Sequence, residues 1–546
     1  MDYKKLANML FPDTTKSISY YEQTVFPDRG LNADAKVTRL APSPTGFIHL
    51  GNLYGALVDE RLAHQSKGVL ILRIEDTDDK RKVEGAVETI ITSLKFFGLQ
   101  FDEGATIDGE KGNYGPYYQS NRVEIYHTAA KYLVEIGRAY PCFCTEEELE
   151  EIKRQQESLN VNTGYYGKWA RDRELSLDEV QKHLDSNRSY VLRFKSMGSQ
   201  EGTFDISDAI RGELSLTENY QDIVLLKANG IPTYHFAHVT DDHFMRVTHV
   251  VRGEEWLSTL PIHFELFKTL GWELPVYCHT AHLMKIDNGV KRKLSKRKDP
   301  ELGLEYYMKL GYHPAAVREY LLTIQNSNFE EWRIENPQAG IDDFEFSLNK
   351  MSKSGALFDL DKLNDISKNV LAGIPADEIF DFLLNWSREY KKEIESLLID
   401  NRDSVIKLLS VGRNSAKVRK DLIYCEQIFE FISYFFDDYF EVVDSYPANI
   451  DDIEAGKLLK AYLETYNHGD NQEQWFSKIR EITAMNGYAE KPKDFKKNPE
   501  MYKGHVGDVS TVIRIAIVGR ETSPDIWEIQ QIMGEEKVRN RISART

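Results

Sequence analysis

Cysteine is scarce in this chain. Cys142, Cys144, Cys278 and Cys425 are the four thiols in 546 residues, too few and too unevenly spaced for a disulfide framework, which fits a reducing compartment. Proline and glycine, 17 and 34 residues, follow no period, which excludes a collagenous chain. No stretch of about 18 consecutive apolar residues occurs, and the opening MDYKKLANMLFPD lacks the apolar segment of a secretory signal. A membrane-spanning role is not expected, and the cytoplasm is the expected location. Positive charge is also in deficit, 69 Lys and Arg against 87 Asp and Glu, a net charge of −18. That deficit does not exclude nucleic acid, because phosphate affinity depends on local basic clusters rather than the sum.

What is present is a chain 41% hydrophobic and 11% aromatic, long enough for about three or four domains with real cores. The first 33 residues carry no convincing period. An apolar run at Val37–Ala41 then reads as a strand, residues from Leu50 follow helical spacing to a stop at Gly68, and Val69–Ile74 reads as a second strand. Strand, helix and strand in that order predict a right-handed βαβ unit, whose ligands sit at the C-terminal ends of the strands. A further helix over 84–97 closes at Gly98, and another over 121–136 closes at Gly137. Between about 140 and 222, charged helical turns alternate with short polar strands, as in an insertion. Ile223–Leu226, Thr233–Val239 and Val247–Val251 read as strands that return the chain to the first sheet. Beyond about 300 the pattern turns helical, as in Ala315–Ile324, Ala376–Trp386 and Tyr424–Phe436.

Five constellations carry chemistry. Arg39-Leu40-Ala41-Pro42-Ser43-Pro44-Thr45-Gly46-Phe47-Ile48-His49-Leu50-Gly51-Asn52 joins the first strand to its helix. Its prolines stiffen the turn, Gly46 and Gly51 let a ligand near the backbone, and His49 and Asn52 place donors at a helix N-terminus, where a phosphate is favoured. The bland alternative is a helix-capping His. Between Lys285 and Lys298 stand seven basic residues and one acid, Asp287. Such a loop suits a polyphosphate clamp, an RNA-backbone patch or a solvated face. Arg73-Ile74-Glu75-Asp76-Thr77-Asp78 could receive a substrate ammonium, or could be the cap of the next helix. Tyr234, His235, His238, Asp241, Asp242, His243 and Arg252-Gly253-Glu254-Glu255-Trp256 fit no zinc spacing and read as polar crevice lining. Cys142-Phe143-Cys144 has no third Cys within about 30 residues, so no structural zinc and no other bound metal are expected. Thr145 and Glu148 read as a capping box.

The combination is specific. His49-Leu50-Gly51-Asn52 and Lys293-Leu294-Ser295-Lys296-Arg297 resemble the HIGH and KMSKS signatures of class I aminoacyl-tRNA synthetases, in the expected order. Arg39 to Asn52, Arg73 to Asp78, Pro232-Thr233-Tyr234-His235 and Arg252 to Trp256 resemble the bacterial glutamyl-tRNA synthetases, and the likeness returns at Gly507-Asp508-Val509 and Gly519 to Asp525. The resemblance implies an α/β fold: a Rossmann-type catalytic core split by an α+β connective insertion, followed by an all-α C-terminal anticodon-binding region. It places an N-terminal extension at 1–33, the core halves at 34–120 and 223–300, the acceptor-stem-binding insertion at 121–222, a stem-contact region at 301–370 and the anticodon-binding region at 371–546. It implies ATP-dependent ligation of L-glutamate to the 3′ end of tRNA(Glu) through a glutamyl-adenylate, with ATP as substrate and Mg2+, and tRNA(Gln) open as a second acceptor. A monomer is expected.

On this resemblance His49, Asn52, Lys293 and Lys296 are catalytic. Pro42, Gly51, Ser295, Lys296 and Arg297 bind ATP. Arg39, Ser43, Glu75, Tyr234, His238 and Arg252 bind glutamate, an assignment that agrees with the need of two carboxylates for planar guanidinium forks. Two positions depart from the family: His238 stands where many relatives have Asn, and Trp169 where zinc-binding relatives have a third Cys. The glutaminyl-tRNA synthetases share the core. A truncated relative that glutamylates a tRNA base ends near the signature lysines, whereas this chain continues with basic clusters at Arg413–Lys420, Lys491–Lys497 and Lys537–Arg545. A non-catalytic RNA-binding scaffold is the reading from another class, and the presence of His49 and Lys296 weighs against it.

Overall fold

In the computed structural model the described residues are 1–45, 48–78, 83–413 and 418–546. Gly46, Phe47 and the middle of the 413–420 basic cluster lie outside them. The chain forms two compact units, one of residues 1–306 and 318–359, the other of 307–317 and 360–546.

The first unit is built on parallel strands. Val37–Leu40 pairs with Val69–Leu72, which pairs in turn with Glu103–Thr106. The Val-Leu-Ile-Leu run is buried at three of its four positions, as a strand covered on both faces should be. The crossover helices are Leu50–Gln65 and Ala86–Phe96. His249–Gly253 runs parallel to Val276–Thr280 over five register pairs. The Thr248 N–H donates to Val37 O at 2.9 Å and the Thr248 hydroxyl accepts from Val37 N at 2.8 Å, which sets these strands on the other side of Val37–Leu40. The order therefore reverses at Val37–Leu40, and in open α/β sheets the ligand crevice lies at that switch point.

Three sequence expectations are corrected here. Val224–Leu226 does not rejoin the first sheet; it closes a three-stranded antiparallel sheet with Ala139–Cys142 and Val191–Phe194, inside the insertion. Thr233–Val239 is not a strand: Tyr234–Phe244 is a helix. Its buried residues include His238, Thr240, Asp241 and Asp242 as well as Phe236, Ala237, Val239 and Phe244, so polar residues occupy the inward face and mask the helical period. The first 33 residues are not patternless either. Tyr3–Leu10 is a helix capped by Asp2, and Leu6, Ala7 and Leu10, with Tyr21 and Phe26, join the core of the first unit. Two helical turns are too short for the period to show. The insertion also holds the hairpin Thr203–Asp208 and Gly212–Thr217 and the helix Glu146–Ser158, which carries the expected Thr145/Glu148 capping box.

The second unit is helical, including Ala376–Tyr390, Cys425–Ile432, Asp452–Thr465, Gln472–Met485 and Val506–Val518. These helices bury Leu383, Ile428, Leu458, Ile479, Val509 and Ile513 in one apolar core. Gly519 ends Val506–Val518 in the left-handed region at φ 75°, where a Cβ would also meet Glu441 O at 2.0 Å. Only glycine fits there.

Candidate active site

A cavity of about 700 Å³ opens at the switch point, lined among others by Arg39, Pro42, Ser43, His49, Gly51, Asn52, Glu75, Tyr234, Arg252 and Lys293. The turn after Val37–Leu40 and the turn after Val69–Leu72 are tied together, since the Glu75 N–H donates to Pro42 O at 3.0 Å. His49 begins the helix Leu50–Gln65 through a reciprocal cap: its Nδ1 accepts from Asn52 N at 3.2 Å, while its own N–H donates to the Asn52 side-chain oxygen at 3.1 Å. That cap leaves the ring proton on Nε2. Burial, assisted by the charges of Lys293 and Lys296, lowers the His49 pKa against the opposing pull of Glu255, so the ring is neutral and a hydrogen-bond donor. A Cβ on Gly51 would lie 3.0 Å from the His49 ring. The helix-capping reading of this motif is thus what the structure shows, and it leaves the ring oriented as a donor compatible with the phosphate reading.

Beneath the cavity floor lies a network of buried charge. Arg39 Nε donates to both Asp242 oxygens at 3.3 and 3.4 Å, and Arg73 donates to Asp242 at 2.6 Å and to Glu75 at 3.3 Å. Asp241 accepts from Arg122 at 2.6 Å, Gln119 at 2.9 Å and Tyr126 at 2.8 Å. Burial would push the Asp242 carboxyl up, but Arg39 and Arg73 hold it down. For Glu75 burial dominates, and its pKa is raised in spite of Arg73 and Arg39. Asp241 and Asp242 are therefore not crevice lining; both are buried, Asp242 holding Arg39 at the cavity wall and Asp241 holding Arg122, which is not among the lining residues. Burial pushes the Tyr234 phenol up to about 12, so it stays protonated, and its ring packs on Trp256 at 4.6 Å.

His238 is set behind this wall. It is 0% exposed, neither ring nitrogen has a hydrogen-bond partner, and Tyr234 and His263 pack on it at 5.8 and 4.4 Å. On the basic loop Lys293 reaches the cavity wall, whereas Ser295, Lys296 and Arg297 are not among the lining residues. The loop is held by an acid that sequence reasoning missed. Arg292 donates to both Asp299 oxygens at 2.7 and 2.8 Å, and Ser295 N–H donates to Asp299 at 2.8 Å. These contacts hold the Asp299 carboxyl well below the usual carboxylate range. Asp76, expected either as a ligand group or as a helix cap, accepts from Ser120, and the cap of Ala86–Phe96 is Gly85.

The insertion brings the sulfurs of Cys142 and Cys144 and a carboxylate oxygen of Asp172 within 4.8 Å of one another. Counting thiols alone could not find Asp172. Its carboxylate accepts from Phe143 N–H at 2.6 Å, and three such groups are one short of a closed tetrahedral zinc set.

The second unit holds a separate groove lined by Arg419, Trp475, Phe476, Arg514, Ser523 and Pro524, among others. Arg514 Nε and Arg419 Nη2 are buried there without hydrogen-bond partners.

The site and fold define a class I synthetase. Residues 36–365 match the model for tRNA synthetases class I (E and Q), catalytic domain, and residues 392–545 match an anticodon binding domain. The chain is 79% identical over 542 residues to a glutamate–tRNA ligase of Acetivibrio thermocellus, covering 99% of each. It is 47% identical to one of Clostridium perfringens, covering 99% of this chain and 100% of the relative. A solved glutamate tRNA ligase from Elizabethkingia meningosepticum, in complex with its amino acid, is 27% identical with a TM-score of 0.74, covering 93% of this chain and 99% of that one. The chain belongs to the glutamate–tRNA ligase family.

Proposed function

We propose that this chain joins L-glutamate to the 3′ end of tRNA(Glu) in two steps, with ATP as the first co-substrate. The observation that carries the amino-acid assignment is Arg252. It lines the cavity, is 8% exposed, and its Nη2 is buried without a partner. A buried guanidinium N–H left unbonded is costly unless a ligand completes it, and a carboxylate is the ligand whose charge and shape match. Arg39 takes a second carboxylate oxygen, while Glu75, the Tyr234 hydroxyl and Ser43 place the amino group and backbone of glutamate. His238 supports Tyr234 from behind.

In the first step a carboxylate oxygen of glutamate bonds to the α-phosphorus of ATP, and the bond from that phosphorus to the bridging oxygen breaks, releasing pyrophosphate. His49, through its Nε2–H, and Asn52 stabilise the phosphate oxygens. Pro42, Gly51, Ser295 and Arg297 shape the nucleotide site, and Lys293 and Lys296 neutralise charge developing at the leaving pyrophosphate. The Glu255 carboxylate on the cavity wall is a suitable oxygen donor for Mg2+ bound to the phosphates, and the ion would supply further charge neutralisation. In the second step the terminal ribose hydroxyl of the tRNA attacks the acyl carbon, and AMP leaves.

We assign 34–120 and 227–300 to the core halves, 121–226 to the acceptor-stem insertion, 301–370 to stem contact and 371–546 to anticodon reading, where the unpartnered Arg419 Nη2 and Arg514 Nε mark guanidinium groups suited to nucleobase edges or phosphate. A monomer in the cytoplasm is the working state; among the described residues no helix is long and apolar enough to cross a membrane. Aminoacylation with radiolabelled glutamate, using tRNA(Glu) and tRNA(Gln) transcripts separately, tests the proposal. Charging of tRNA(Glu) by the native protein and its loss in Lys296→Ala support it, and charging of tRNA(Gln) as well would extend the acceptor range. Tight tRNA binding without charging of either would overturn it.

A further inference from the structure

The two arginines that face the substrate are held in opposite ways. Arg39 leans on a carboxylate, Asp242, which cancels much of its charge. Arg252 leans on two imidazoles. Its Nε donates to His279 Nε2 at 3.0 Å and its Nη1 to His263 Nδ1 at 3.0 Å. Both rings are 0% exposed, and neither carries a charge that would compensate the guanidinium. Each ring is in turn fixed in the tautomer that presents a lone pair to Arg252. His279 Nδ1–H donates to Asp208 at 2.6 Å, and His263 Nε2–H donates to His235 Nδ1 at 3.1 Å. With Nε and Nη1 bound, Nη2 is the nitrogen of the fork that has no hydrogen-bond partner.

We propose that His263 and His279 are positioning residues that aim Arg252 at the substrate carboxylate without placing a carboxylate in direct contact with it, and that they thereby set the affinity for glutamate and the preference over glutamine. The proposal rests on the glutamate-site reading of Arg252 given above. Carboxylates in the same places would hold the guanidinium as well but would weaken its attraction for an anionic substrate. Neutral acceptors give direction without that loss. An amide substrate gains less from an uncompensated cation than a carboxylate does, so the discrimination follows from the same arrangement. The arrangement also depends on the insertion. Asp208 ends the hairpin strand Thr203–Asp208, which pairs with Val276–Thr280 at Tyr277, so the tautomer of His279 is set by a residue of the inserted segment.

The test is steady-state aminoacylation by the full chain, with the KM of glutamate, ATP and tRNA measured separately. His263→Leu and His279→Leu are expected to raise the glutamate KM about tenfold or more and to narrow the glutamate-to-glutamine preference, with the ATP and tRNA KM unchanged. His263→Asn and His279→Gln, whose amide oxygens can take the acceptor positions, are expected to restore most of the affinity. Asp208→Asn, which can donate to His279 Nδ1 and so reverse the tautomer, is expected to raise the glutamate KM like His279→Leu; it keeps the proposal testable if the leucine variants do not fold. Arg252→Gln separates the two readings. If it leaves the glutamate KM unchanged, the glutamate-site reading fails; if it raises that KM while the histidine and Asp208 variants do not, only the positioning proposal fails. A parallel loss of kcat, all three affinities and thermal midpoint, without rescue by the amide variants, would make the histidines ordinary core packing and overturn the proposal.

Discussion

The two units bury different things. In the first, Arg39, Asp59, Arg73, Glu75, Arg122, Asp208, His238, Asp241, Asp242, Arg252, His263 and His279 are all buried. In the second, the buried polar side chains among the described residues are Ser367, Ser387, Thr483, Gln530 and Arg541, around an aliphatic and aromatic core. Apolar burial is favourable wherever it occurs, whereas a buried ion pair is weak evidence for stability and is costly to break. The first unit therefore tolerates an arrangement that stability alone would not select, and the cavity it surrounds gives the reason: fixed charge aimed at a substrate that is itself charged.

Asp242→Ala should draw the contrast most sharply, because it leaves Arg39 and Arg73 buried without their shared carboxylate. A loss of about 3–5 kcal/mol is expected in denaturant unfolding, with the first unit opening before the second. A loss below about 1 kcal/mol would show that the network is solvated or redundant. Leu458→Ala, in the apolar core of the second unit, should cost about 2–5 kcal/mol yet leave ATP affinity unchanged, as read by equilibrium nucleotide binding.

Acid should separate the units as well. Burial, with the charge of Arg252, holds His235 down to about 4, so the folded first unit binds fewer protons there than its unfolded chain. Stability is then fully present above the ordinary histidine value near pH 6.5 and is lost as pH falls from there toward 4. His235 contributes a loss of about 2 kcal/mol between pH 6.5 and 5. Amide hydrogen exchange at pH 7 and 5 should show the first unit weakening more than the second, where His313 is the histidine held down in the same way, to about 4. Equal weakening would remove the contrast. The smallest effect belongs to Asp451, whose side chain caps Asp452–Thr465 by accepting from Glu454 N at 2.8 Å. Asp451→Ala should cost about 1 kcal/mol in thermal unfolding without altering charging.

The sequence made the βαβ start, the insertion and the helical second half readable, because alternation, helical spacing and closing glycines act locally. Most of the cavity wall was readable too, since its residues come in contiguous motifs such as Arg39 to Asn52. Three things were not. The helix Tyr234–Phe244 hid behind the polar residues that it buries. Asp299 and Asp172 had no local mark, because their partners lie on other turns. His263 and His279, 11 and 27 residues beyond Arg252, became visible only when the fold brought them to the guanidinium. Burial is also what set His238 behind Tyr234, and spacing along the chain carries no information about burial of that kind.

The central claim is a division of labour, with amino-acid chemistry in the first unit and anticodon reading in the second. The most direct measurement is steady-state charging by Arg252→Gln and Arg514→Ala side by side, with KM for glutamate and for tRNA(Glu) taken on each. The account expects Arg252→Gln to raise the glutamate KM alone and Arg514→Ala to raise the tRNA KM alone. Either variant moving the other's substrate, or neither moving its own, would contradict it.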